Sequence, residues 1–285
     1  SKEDARKMGI QIVPISVRFG DEEFLDGVEI THEEFYTRLA ECDELPKTSQ
    51  PSPDTFMKVF NEAVAAGDDV LGIFISSDLS GTYQSACLAA LDVEEETRKK
   101  LYMVDSRSAS IGTALLIREA VKLRDAGVNV SDIAAACTEM SKYIKLTAVV
   151  GSLKYLKMGG RLSGAAAFAG TMLHITPVVS IEDGKVVVIG KTRGKKAAEK
   201  LMHDKLIKDG LSLTRDFMFG HINCSESLET FINKSLTYIS DVNGNVGVSS
   251  IGCSVGAHVG PGTYGIAYVE AAESGMNRES IVKTA

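Results

Sequence analysis

The stretch from Val70 to Ala86 constrains the fold most. Val70–Ile75 is an unbroken apolar run, the pattern of a buried strand in a parallel sheet. It stops at Ser76-Ser-Asp-Leu-Ser-Gly-Thr82, a short hydroxyl-rich turn, and residues 80–91 follow as a helix. A helix opening there points unpaired backbone N–H groups and the positive end of its dipole at the exit of the strand. Ser76, Ser77, Ser80 and Thr82 add hydroxyl donors, and Asp78 is the only charged residue among them. Such a turn suits one small anionic head group, and a carboxylate fits as well as a phosphate.

The same alternation runs through residues 10–151. Ile10–Val17 reads as a strand. Thr31 and Glu34 form a capping box that opens a helix bearing Phe35 and Leu39. Ser52 and Pro53 suit the N-cap and first position of a helix with Phe56, Val59, Phe60 and Ala63 on one face, closed by Gly67. Leu101–Val104 is a strand that ends at Asp105-Ser-Arg-Ser108. A long helix then runs to Ala126, Ser131 caps another, and Thr147–Gly151 is a strand. Alternation of this kind predicts an α/β domain over 1–151, a mostly parallel sheet with helices on both faces. Ligands of such sheets lie at the C-terminal ends of strands, where both hydroxyl-rich turns fall.

After residue 151 the pattern changes. Gly159-Gly-Arg-Leu-Ser-Gly164 is a glycine-rich loop ahead of a small-residue segment. Pro177–Ile181 and Lys185–Ile189 form a hairpin through Glu182-Asp-Gly184. Helices over 195–208 and Ser225–Tyr238 alternate with strands over Asp216–Ile222, Val246–Gly252 and Thr263–Val269. A second, α+β domain over 152–285 is the expectation, with a polar tail after Ala271.

Composition excludes several classes. The net charge of −7 argues against nucleic acid or an anionic membrane surface as the main partner. No apolar run of about 18 residues is present, and Ser1-Lys-Glu-Asp-Ala-Arg6 lacks the apolar core of a signal peptide. The five cysteines are scattered, without a C-x-x-C pair, which points to a reducing, cytoplasmic compartment and away from a zinc site. No metal or cofactor is expected.

Three groups of residues carry chemistry. Thr48-Ser-Gln-Pro-Ser52 and Ser76–Thr82 both precede helices; plain capping needs one hydroxyl per helix, and the second cluster has more. His258 lies in Val255-Gly-Ala-His-Val-Gly-Pro-Gly-Thr-Tyr-Gly265, a glycine-rich loop where an imidazole can hold a hydroxyl or carboxylate, or simply a structural hydrogen bond. The basic run Lys191–Lys196 opposes the dipole of the helix it opens, which favours an anionic partner. Two enzymatic alternatives stand beside a binding role. A serine hydrolase would use Ser80 and His258, without a G-x-S-x-G elbow. A phosphotransferase would use the loop at 159–164, which lacks the Gly-Lys-Ser/Thr ending of a P-loop and a metal-binding acidic cluster.

Taken in order, Thr48-Ser-Gln-Pro-Ser52, Ser76-Ser-Asp-Leu-Ser-Gly-Thr-Tyr-Gln-Ser-Ala86, Val104-Asp-Ser106, Gly160-Arg-Leu-Ser163, Lys191-Thr-Arg-Gly-Lys-Lys196 and His258-Val-Gly-Pro-Gly262 resemble the DegV family of bacterial fatty-acid-binding proteins. The resemblance implies two domains with a long-chain fatty acid between them. The carboxylate would be held by Thr48, Ser80 and His258, with Ser49, Gly81 and Thr82 as secondary contacts. The acyl chain would lie in an apolar tunnel formed largely by residues 152–285, with Ala165–Leu173 as one wall. It also implies a non-catalytic carrier role in phospholipid synthesis: the acid is presented to a separate fatty acid kinase, with Arg161 and Arg193 facing that partner, and transient contact with a membrane. The family begins with a strand ending in an Asp-Ser turn; this chain begins inside the helix that follows, at Lys2–Arg6.

Overall fold

The computed structural model describes residues 2–42, 44–164, 175–212, 214–237, 239 and 244–271. The Ala165–Leu173 wall expected from the sequence lies outside the described residues, as does the tail from residue 272. Helix α1 (Lys2–Lys7) opens the described chain. A small antiparallel sheet follows, in the order β2-β1-β3, from β1 (Ser16–Phe19), β2 (Glu22–Leu25) and β3 (Lys47–Ser49). The strand expected over Ile10–Val17 therefore pairs only at its last two residues. Pro14 lacks an N–H for a ladder, and Ile12 faces solvent. Between β2 and β3, helix α2 (His32–Glu41) starts at Thr31 with both arms of the capping box in place.

Helix α3 (Pro53–Ala66) begins at Ser52, whose Oγ accepts from the N–H of Thr55, and ends at Gly67. Strands β4 (Leu71–Phe74) and β5 (Tyr102–Asp105) form a parallel pair, each feeding a helix: α4 (Thr82–Thr97) and α5 (Ile111–Asp125). Helix α6 (Val130–Met140) is capped by Asn129, not Ser131. The Asn129 Oδ1 accepts from the N–H of Asp132 at 3.0 Å and also from the Ser131 hydroxyl.

The larger sheet has the order β10-β9-β11-β6-β7-β8. Its strands are β6 (Ile144–Val149), β7 (Thr176–Glu182), β8 (Lys185–Thr192), β9 (Phe217–His221), β10 (Val246–Ser250) and β11 (Tyr264–Val269). Helices α7 (Lys154–Met158), α8 (Lys195–Asp209), α9 (Ser225–Leu236) and α10 (Cys253–Val259) connect them. The hairpin β7–β8 turns on Asp183 and Gly184, both with positive φ, as a tight two-residue turn demands.

The architecture is mixed α/β, but the mostly parallel sheet expected for the first half is not found. Among the described residues its parallel ladder is β4–β5 alone, and β6 joins the six-stranded sheet between β11 and β7, antiparallel to both. The apolar run of β4 does pair parallel, but the strand–helix alternation behind that reading does not fix the direction of β6. In β6, Val149 faces one core and Ala148 another.

One face of the large sheet is closed by α8 and α9. Phe217, Phe219, Tyr264 and Tyr268 meet Met202, Leu206 and Phe231 there. The opposite face, presenting Leu146, Ala148, Val179, Ile181 and Gly265, turns toward the exits of β4 and β5 and toward α10.

Candidate functional site

That second face is incompletely filled. A pocket lies on it, walled by apolar side chains that include Ile75, Leu79, Ala109, Leu146, Val150 and Val179. Thr48, Gln50, Ser80, Arg161 and His258 supply polar groups to it. They are linked to one another. Thr48 Oγ1 lies 2.8 Å from His258 Nε2. Gln50, two residues along from Thr48, donates to Ser85 Oγ at 2.8 Å and lies so near Gly81 that a Cβ there would fall 2.2 Å from its Oε1. Arg161 donates to the carbonyls of Leu79 (3.1 Å) and Gly159 (2.6 Å). Gly159 in turn backs the imidazole, since a Cβ there would sit 2.4 Å from His258 Nδ1.

His258 is held neutral. Burial pushes its pKa down to about 4, and the nearby Arg161 guanidinium pushes the same way. Its Nδ1 is buried and has no hydrogen-bond partner among the described residues. An unpaired buried N–H costs more than an unpaired lone pair. The tautomer this favours carries the proton on Nε2 and donates it to Thr48, which leaves the threonine hydroxyl free to donate into the pocket.

The turn after β4 divides its hydroxyls among several tasks. Ser76 is fully buried and donates to the carbonyl of Gly184 at 2.7 Å, tying the turn to the β7–β8 hairpin. The N–H of Ser77 meets the Asp105 carboxylate at 3.3 Å, and Arg107 N–H meets it at 2.8 Å, so Asp105 binds the exits of both parallel strands together. Thr82 is buried and shares a hydrogen bond of 2.8 Å with Ser80. Of the four hydroxyls, Ser80 lines the pocket.

The structure thus brings Thr48, Ser80 and His258 to one pocket. Thr82 bonds to Ser80 through its hydroxyl and its N–H, and Gly81 lies against the Gln50 side chain. Ser49 is exposed and belongs to the opposite face of β3, because alternate strand residues point to opposite sides. Arg193 is exposed on the turn between β8 and α8, whereas Arg161 is half-buried at the pocket itself. Sequence reading placed His258 in a loop; it sits on the last turn of α10, a helix masked by its glycine at 256. Gln50 and Arg161 are pocket residues that the reading did not assign to head-group contact; the place of Gln50, two residues on from Thr48 and just past β3, was the available signal.

Two enzymatic arrangements lose support. A hydrolytic triad needs His258 between Ser80 and a carboxylate. Here Nε2 is engaged by Thr48, and Nδ1 meets no carboxylate among the described residues. In the glycine-rich loop Gly159 makes room for His258, Leu162 bridges to Val186, and the Ser163 N–H bonds to the Val186 carbonyl at 3.0 Å. These contacts turn the loop into the pocket wall instead of a phosphate cradle. Among the described residues no helix is long and apolar enough to cross a membrane.

The protein-family model described as "Uncharacterised protein, DegV family" matches residues 1–271. A DegV domain-containing protein of Clostridium acetobutylicum is 36% identical over 272 residues, 92% of this chain and 91% of the relative. A solved structure described as fatty acid binding of a DegV family protein from Thermus thermophilus superposes with a TM-score of 0.83 at 31% identity, covering 94% of this chain and 95% of that one. A stearic acid-binding protein from Eubacterium ventriosum superposes with a TM-score of 0.83 at 28% identity, covering 96% of each chain. Homologues of this fold therefore bind fatty acids as ligands, and the chain described here belongs to the DegV family.

Proposed function

We propose that this protein binds one long-chain fatty acid, with its carboxylate at Thr48, Ser80 and His258 and its acyl chain along the apolar wall of the pocket. The observation that carries this reading is the hydroxyl–imidazole pair of Thr48 and His258 set into a largely apolar pocket. A buried carboxylate needs hydrogen bonds or a counter-charge. The Thr48 and Ser80 hydroxyls supply donors, the first freed to point into the pocket by the Nε2–H of the neutral His258 imidazole, and Arg161 adds positive charge close by. Neutral donors leave the carboxylate oxygen nucleophilic toward an outside catalyst.

On this reading residues 1–151 and 152–285 act as two units that share the site, and the polar residues come from both. The protein is a cytoplasmic carrier that presents the head group to a fatty acid kinase. Arg193, exposed within the basic run Lys191–Lys196, is assigned to that partner. Arg161, assigned to the same partner, would act from the head-group end, since it lines the pocket. Brief contact with a membrane would load the acid.

Mass spectrometry of the denatured protein is expected to find fatty acid at about one equivalent, and Ser80→Ala is expected to weaken its retention. Repeated preparations without stoichiometric fatty acid, together with no uptake of added stearic acid, would overturn the reading.

A further inference from the structure

Helix α10 supplies Ser254, Val255, His258 and Val259 to the pocket. Its sequence does little to make it a helix. It is seven residues long, Cys-Ser-Val-Gly-Ala-His-Val, with a glycine at its centre and two β-branched residues. Something outside must hold it, and three tethers reach it, two from the segment between β2 and β3 and one from β3 itself. The Asp26 carboxylate accepts from the N–H groups of Cys253 (3.1 Å) and Ser254 (2.8 Å). The Tyr36 hydroxyl donates to the Ile251 carbonyl at 3.2 Å, and it lies so close to Gly256 that a Cβ there would fall 2.0 Å from its oxygen. Thr48 meets His258 at the other end.

Thr48 belongs to the site itself, and Tyr36 grips the approach and the middle of the helix. Asp26 holds the first turn: it satisfies two otherwise unpaired N–H groups and puts negative charge at the positive end of the helix dipole. Asp26, His32 and Cys253 also bring candidate ligand atoms within 4.8 Å of one another. Both Asp26 oxygens, however, are already accepting helix N–H groups. Burial, with Asp26 beside it, holds the Cys253 thiol protonated. The arrangement serves the helix better than it serves a cation.

We propose that Asp26 is a positioning residue of the head-group site: by fixing the first turn of α10 it sets the register in which His258, on the last turn, meets Thr48. This rests on the fatty-acid reading above for its functional consequence, but not for the geometry itself.

The test uses the full chain freed of lipid, with stearic acid as the probe. Asp26→Ala is expected to weaken stearate binding about ten-fold, and Asp26→Asn, which keeps one acceptor oxygen, to stay within about three-fold of the unaltered protein. The readout that a general loss of stability would not move is the His258 imidazole in a nitrogen–proton NMR spectrum of the folded, unliganded chain. Its Nε2–H signal should be protected in the unaltered protein and in Asp26→Asn, and shifted or exchanged away in Asp26→Ala. If Asp26→Ala keeps both stearate affinity and the His258 signal while Thr48→Val still weakens binding, Asp26 loses its role and the fatty-acid reading stands. If the unaltered protein takes up no stearate, that reading falls, and the His258 signal alone decides on Asp26. Should Asp26→Ala fail to fold, Asp26→Leu, which fills the space without an acceptor oxygen, is read instead, and an unchanged His258 signal in it overturns the proposal.

Discussion

The two faces of the six-stranded sheet are built from the same strands and solve opposite problems. On the face under α8 and α9, alternate residues of β9 and β11 are Phe217, Phe219, Tyr264 and Tyr268, and Phe231 packs edge-on against both Phe219 and Tyr264. Between them, on the other face, stand Met218, Gly220, Gly265 and Ala267. Large rings fill space and leave a closed core; on the other face Met218 and Ala267 pack against Ile111 and Leu115 of α5, and the pocket opens beyond them over Gly265, Ala148 and Val179. One alternating pattern thus writes stability on one side and capacity on the other. The rim of the pocket is then closed by elements from elsewhere, chiefly the turns after β4 and β5 and helix α10.

The largest test of this contrast removes a ring from the filled face. Phe219→Ala should destabilise the protein by about 3–5 kcal/mol in denaturant unfolding, since α8 and α9 cannot both collapse into the space. Loss well below 1 kcal/mol would mean that the face is not a rigid core.

A second effect comes from pH. The unfolded chain protonates His258 near pH 6.5, while the folded chain resists until about pH 4. Between these values the unfolded state binds the extra proton, so stability present above pH 6.5 is lost as the pH falls, by up to about 3 kcal/mol. Subtracting the pH profile of His258→Gln isolates this contribution from those of other groups, including His203 and His221, whose values burial also lowers. Parallel profiles for the two proteins would show that His258 is not held neutral. A bound carboxylate opposes the shift, so stearate should flatten the difference.

The third test fills the open face. Ala148 lines the pocket and is buried beside Val179. Ala148→Leu adds its methyl groups to empty space, so stability should change by less than about 1.5 kcal/mol while stearate affinity falls ten-fold or more. Unchanged affinity would place the acyl chain elsewhere.

Sequence made the local devices legible. The Thr31–Glu34 capping box, the Ser52-Pro53 start, the Gly67 stop and the Asp183-Gly184 turn all act within a few residues, and each is found where its chemistry predicts. What was not legible is carried by distant partners. The direction of β6 depends on β7 and β11, the latter more than a hundred residues away in sequence, and burial on both faces is the same for either direction. Helix α10 is hidden because its stability comes from Asp26 and Tyr36, and Gly256, which argues against a helix, is there to admit the Tyr36 ring. The proposed site was readable in Thr48, Ser80 and His258 only because their motifs occur in a fixed order; that all three line one pocket could not be derived from spacing.

The smallest effects separate two neighbours. Thr48 and Ser49 are adjacent in one three-residue strand, and the Val17↔Thr48 and Ser16↔Ser49 pairing with β1 puts their side chains on opposite faces. Thr48→Val keeps the shape and removes one hydroxyl that stands between His258 and the pocket, so it should cost about 1 kcal/mol of stearate binding, roughly five-fold, with little change in stability. Ser49→Ala removes a hydroxyl that faces water and should leave binding within error. Equal losses from the two, measured by titration with stearate, would mean that the strand as a whole shifts on binding and that the alternation seen here does not define which hydroxyl reaches the carboxylate.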